Sequence, residues 1–128
     1  MVYTINDVKK MYDISASTLR FYEKEGLLPK INRDRSGRRV YEEKELEWLQ
    51  LVIAFKDTGM ALETIKEYLA MVYEGDKTLE ERRKILLEHK KSVEKKLTLT
   101  LEHLEKINKK ITVYDVLVLK KSPKDLFI

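Results

Sequence analysis

The chain has 128 residues, 43% hydrophobic and 38% charged, with no cysteine and a formal net charge of +4. That length holds one modest domain with an appended extension, and the absence of cysteine excludes disulfides, thiolate metal sites and thiol redox switches. No apolar run approaches the ~20 residues that span a bilayer. No charged start followed by an apolar core marks a signal peptide, so a cytoplasmic protein is expected.

Thr4 is a good helix N-cap, and Asp7 three residues on gives a capping-box-like start. A first short helix then presents Ile5, Val8 and Met11, with Tyr12, along one face. Tyr12-Asp-Ile-Ser15 is a tight connection in which Asp13 suits a turn and Ser15 a cap. The second helix turns Leu19 inward together with Phe21 or Tyr22, and Gly26 is placed to stop it. Two short helices joined by a few residues follow the helix-turn-helix plan, whose second helix enters a major groove. Ser17, Thr18 and Arg20 are free to face outward at its start. From Pro29 to Tyr41 the turn signal Ser36-Gly37 lies between basic arms, which reads as a two-stranded wing. Lys30, Arg33, Arg35, Arg38 and Arg39 suit a phosphate backbone, because guanidinium forks match phosphate oxygens. Charge follows this division. Met1 to Tyr41 carries nine Lys/Arg against five Asp/Glu, whereas Glu42 to Gly75 carries three against eight.

Tyr3-Thr-Ile, then Thr18-Leu-Arg-Phe-Tyr-Glu-Lys-Glu-Gly-Leu-Leu-Pro29 and Arg38-Arg-Val-Tyr41, resemble the mercury-resistance regulator (MerR) family of winged-helix transcription factors. The likeness continues through Leu46-Glu-Trp-Leu-Gln-Leu-Val-Ile53 and Thr58-Gly-Met-Ala-Leu-Glu-Thr-Ile65. It implies a mainly α fold: a winged helix-turn-helix head with a small β-hairpin, then a long helix dimerising as an antiparallel coiled coil. It also implies that Tyr22 touches phosphate, although packing beneath the helix is the competing reading. Arg38, Arg39 and Tyr41 are expected to grip phosphate from the wing. The loop Thr58-Gly-Met60 is expected to stand where the family places a second wing, with backbone N–H groups at the next helix start facing a phosphate.

A third helix is expected over Glu42 to Lys56, with Leu46, Leu49, Val52 and Ile53 at helical spacing. Trp48 reads as core, and Asp57-Thr-Gly59 ends the helix. A fourth helix spans Leu62 to Tyr73, with Leu62, Ile65, Leu69 and Val72 on one face and Tyr68 beside it. After the break Glu74-Gly-Asp-Lys77, Thr78 is expected to cap a helix with Glu81 at the capping-box position. No Pro or Gly then occurs to about Tyr114. Leu86, Val93, Leu97, Leu101, Leu104, Ile107 and Ile111 form an apolar seam, clean from Val93 onward. Such a helix needs a partner, most simply from a second copy. The alternative is that it folds back on its own head. Its basic pairs, such as Lys90-Lys91 and Lys95-Lys96, read as a solvated flank or as further DNA contacts. The segment Ile111 to Leu119 either extends the helix or packs as a cap, and Pro123 bars a continuous helix through the end. The expected division is 1–75 DNA-binding head, 76–114 dimerisation helix and 115–128 short tail.

No catalytic constellation, glycine-rich phosphate loop or two-histidine metal motif occurs, and His89 and His103 lie fourteen residues apart. No enzyme, no metal and no cofactor is therefore expected. The expected function is a homodimeric transcription regulator. It binds double-stranded DNA at an inverted-repeat promoter site and, as the resemblance implies, distorts that DNA with RNA polymerase nearby. No membrane partner is expected. Metal and thiol signals are disfavoured without cysteine, which leaves a small organic molecule, a partner protein or no effector. The competing readings are a simple repressor without distortion and a coiled-coil adaptor for protein or RNA.

Overall fold

The computed structural model describes residues 1–120. The order is β1 (Val2–Thr4), α1 (Ile5–Tyr12), α2 (Ala16–Lys24), β2 (Asn32–Arg33), β3 (Arg39–Glu42), α3 (Glu43–Asp57), α4 (Leu62–Glu74), a 3-10 turn (Asp76–Thr78) and α5 (Leu79–Lys120). It is the mainly helical architecture expected. A compact unit closes at Leu86, and a second begins at Leu87. The head thus extends past residue 75, because Ile85 on the second turn of α5 packs against the core.

Local chemistry sets the helix ends. Thr4 Oγ1 accepts from the Asp7 N–H at 3.1 Å, and Asp7 Oδ2 accepts from the Thr4 N–H at 2.9 Å, a complete capping box. Asp13 takes the left-handed conformation at φ 50°, one that Asp tolerates better than most residues. Ser15 Oγ then accepts from the Thr18 N–H at 3.1 Å and opens α2. Helices α2 and α3 end alike. Leu27 N–H donates to Tyr22 C=O at 2.9 Å and Gly26 N–H to Glu23 C=O; Met60 N–H donates to Phe55 C=O at 2.8 Å and Gly59 N–H to Lys56 C=O. Both are Schellman closures, which need a left-handed residue after the cap; Gly26 (φ 76°) and Gly59 (φ 88°) supply it. Leu27 and Met60, the residues beyond, are buried.

The expected two-stranded hairpin is present as β2 and β3, and β1 adds a third strand to its sheet. β3 lies between β1 and β2, antiparallel to both, with Tyr3 opposite Tyr41 and Arg33 opposite Arg39. The head core gathers Val8, Leu19, Leu27, Leu49, Val52 and Ile65, each at most 1% exposed. Trp48 belongs to this layer. Its ring stacks on Tyr68 at 5.9 Å, and its Nε1 donates to Leu27 C=O at 2.6 Å.

Thr78 does not cap α5. Its hydroxyl is buried within reach of the Met71 and Gly75 carbonyls, at 2.7 and 2.8 Å, and it accepts from Arg82 Nε at 3.1 Å. The end of α4 offers orphan carbonyls that compete for this hydroxyl. Helix α5 runs 42 residues, roughly 63 Å at 1.5 Å per residue, so the segment 111–119 extends the helix. None of its residues is buried. The expectation for Pro123 lies outside the described residues. Among the described residues no helix is long and apolar enough to cross a membrane.

Candidate nucleic-acid interface

Helix α2 is fixed from below by Leu19 and Tyr22. Its exposed positions are Ser17, Arg20, Phe21 and Lys24, the i, i+3, i+4, i+7 pattern of one helical face. Phe21 and Lys24 were not among the expected site residues. Leu19 with two adjacent aromatics leaves a 100° choice of which ring turns inward, and Tyr22 took that place. Thr18 is half-buried with its hydroxyl 2.8 Å from Ser15 Oγ, whereas exposed Ser17 lies 3.0 Å from the same oxygen. The start of α2 thus presents a linked set of hydroxyls, of which Ser15 and Ser17 are exposed.

The hairpin turn is stiffened by a carboxylate. Asp34 Oδ1 accepts from the Ser36 and Arg38 N–H groups, both at 2.9 Å. Asp34 N–H donates to Arg38 C=O at 2.8 Å, Gly37 has φ 81°, and Arg33 Nη1 donates to Gly37 C=O at 2.7 Å. Arg33 therefore braces the turn as well as facing solvent. Lys30, Arg35 and Arg38 are exposed. Among the described residues no side-chain hydrogen bond or ion pair engages Arg20, Arg35 or Arg38.

Two wing residues occupy different places from those expected. Tyr41 is 1% exposed: it faces the core from β3, and burial pushes its phenol pKa up. Its side chain packs and is not on the wing surface. Arg39 is half-buried and turned toward α2, where Nε and Nη2 both lie 3.1 Å from Glu23 Oε2. Bonding to this carboxylate raises the guanidinium pKa further. Arg39 is thus a strut between wing and α2 rather than a free phosphate grip. Tyr22 takes the packing alternative. It is 8% exposed, and burial raises its phenol pKa.

These elements converge. Thr4 and Asn6 at the start of α1, Arg20 on α2, and Arg33, Arg38 and Arg39 on the hairpin line one open cleft. The charges of Arg39, Arg20 and Arg33 all reach the Tyr41 hydroxyl and partly oppose the effect of its burial. An open cleft lined by four arginines is a cationic surface of the kind that suits a polyanion backbone. In the loop before α4, Met60 is buried and the Gly59 and Met60 N–H groups close the end of α3. Ala61 gives α4 no side-chain cap hydrogen bond.

On α5, Leu86, Leu97, Leu101, Leu104, Ile107 and Ile111 are all exposed, and Val93 is half-buried. Among the described residues no group of three His, Cys, Asp or Glu is arranged to hold a metal ion.

Comparison with known proteins agrees with this geometry. Residues 3–72 match the family described as MerR HTH family regulatory protein, and residues 46–100 match one described as MerR, DNA binding. An uncharacterized HTH-type transcriptional regulator of Haemophilus influenzae is 48% identical over 82 residues, 64% of this chain and 61% of that protein. The Bacillus subtilis regulator AdhR is 37% identical over 79 residues, 62% of this chain and 56% of that protein. The matched stretch thus spans about three-fifths of these curated relatives. Among solved structures, HiNmlR, described as a MerR family regulator lacking the sensor domain and bound to promoter DNA, is 36% identical, with a TM-score of 0.85 over 98% of this chain and all of that one. A MerR family regulator from Bacillus thuringiensis is 35% identical, with a TM-score of 0.80 over 89% of this chain and all of that one. The capped helix-turn-helix, arginine hairpin, family match and structural likeness together place this chain in the MerR family of helix-turn-helix transcription regulators, which are DNA-binding proteins and not enzymes.

Proposed function

We propose that two copies, joined through α5, bind an inverted-repeat promoter site in double-stranded DNA in the cytoplasm and distort it to control transcription. Each head lays α2 in a major groove and its hairpin on the adjoining backbone. Arg20 reads a base edge or the phosphate beside it, and Ser17 reaches the same groove wall. Arg38, Arg35 and Lys30 hold phosphates, with Arg33 bracing the turn they project from. Thr18, Tyr22, Arg39 and Tyr41 act from behind by fixing the cap, the core and the strut. The observation that carries the reading is the convergence of Arg20 with the hairpin arginines on one side of the head.

Dimerisation is supported by the exposed seam of α5, which a single copy leaves in water. A two-fold pair of heads calls for a palindromic site. Bending such a site costs about 1–6 kcal/mol, which many phosphate contacts together offset. The distortion would realign promoter elements for RNA polymerase. An effector, whether a small organic molecule or a partner protein, would act by changing the angle between the heads.

The test is fluorescence anisotropy with a duplex selected by the protein from a random library, compared with its scrambled sequence across salt. Selective binding is expected, with affinity falling by roughly 0.9 log units per phosphate contact for each tenfold rise in salt. Weak, equal binding to both duplexes would contradict the reading and favour a protein- or RNA-binding adaptor. Energy transfer between dyes on the duplex ends separates the two regulatory modes. Shortening supports distortion, and an unchanged distance with selective binding leaves a simple repressor.

A further inference from the structure

Phe21 occupies the middle of the exposed face of α2, with Ser17 one turn before it, Arg20 beside it and Lys24 one turn after it. It is 47% exposed, whereas its neighbour Tyr22, with ring centroids 6.4 Å apart, is buried. A single exposed aromatic is ordinarily unremarkable. This one sits at the centre of a face whose other members are two cations and a hydroxyl. Such a face is complementary to a polyanion with an apolar spot at its middle. A phenyl ring has no polar atom to offer a phosphate or a hydrogen-bonding base edge. In the major groove the apolar group presented at the base edge is the C5-methyl of thymine.

We propose that Phe21 is a specificity-determining residue whose ring covers the 5-methyl group of a thymine in each half-site, while Arg20 and Lys24 hold the polar groups on either side. This rests on the assignment of α2 to the major groove. The site read by each head then contains a thymine at a fixed position.

The test uses the full chain and a duplex it selects from a random library, with thymines replaced one at a time by deoxyuridine, which lacks only the methyl. For the unmodified protein, one thymine per half-site should respond, its replacement weakening binding by about threefold to tenfold. Phe21→Ala should bind the thymine duplex more weakly by a similar factor and no longer distinguish thymine from deoxyuridine there. Phe21→Leu should keep part of the discrimination. If the unmodified protein selects a sequence yet tolerates deoxyuridine everywhere, or if Phe21→Ala keeps the full sensitivity, the assignment of Phe21 is overturned and the groove reading stands. If no sequence is selected, the groove reading fails and takes this proposal with it. Should Phe21→Ala unfold, the scan with unmodified protein and Phe21→Leu decides alone.

Discussion

The head buries Val8, Leu19, Val52 and Ile65 completely, whereas along α5 no residue is buried and Leu97 stands 58% exposed. The two regions have similar helix-forming chemistry but meet the problem of apolar surface differently. In the head, several short elements converge from different directions, and each covers its neighbours' apolar side chains. A single long helix has no such neighbour, since its own residues lie only above and below one another. Burial in the head is therefore supplied by one chain, and on the proposed reading the apolar seam of α5 is covered only by a second copy.

The largest expected effect follows from that contrast. Leu97→Glu combined with Leu104→Glu should abolish the dimer in light scattering while the head keeps a cooperative thermal transition. A variant that remained dimeric would remove the seam from the account. Arg20→Ala should cost about 1–3 kcal/mol of binding to the selected site and relax its base preference, with no change in oligomeric state. Equal losses on selected and scrambled duplexes would make Arg20 a phosphate contact only. Glu23→Gln should release the Arg39 strut, lowering head stability by about 1–2 kcal/mol after allowance for solvent screening. DNA affinity should fall with it, because the wing loses its fixed distance from α2. Thr4→Ala should be the mildest change, about 1 kcal/mol in denaturant unfolding, by removing half of the capping box. An unaltered midpoint would show that the box contributes nothing beyond the start of the strand pairing.

What was legible in the sequence were features settled within a few residues. The Thr4–Asp7 box, the Ser15 cap, the stop at Gly26 and the turn at Ser36-Gly37 all satisfy their backbone groups locally. The misses are tertiary. Val2–Thr4 is too short for an alternating pattern, and it becomes a strand only because β3 offers it a partner. Arg38 and Arg39 are adjacent arginines, yet Arg39 opens β3 and bonds Glu23 on α2, while Arg38 lies before the strand in the turn and stays exposed. A pattern of charges does not reveal which of them stays exposed. Tyr41 carries the same lesson, since its burial depends on the register of β3 against β1. Thr78 had the right neighbours for a cap, but the carbonyls ending α4 were closer competitors.

Sedimentation velocity on the full chain, alone and with a selected duplex, tests most directly the claim that α5 brings two reading heads together. The account predicts a dimer at micromolar concentration and two chains per duplex, with both lost in the doubly charged Leu97 and Leu104 variant. A monomer that binds one chain per duplex, with affinity unaffected by those substitutions, would contradict it.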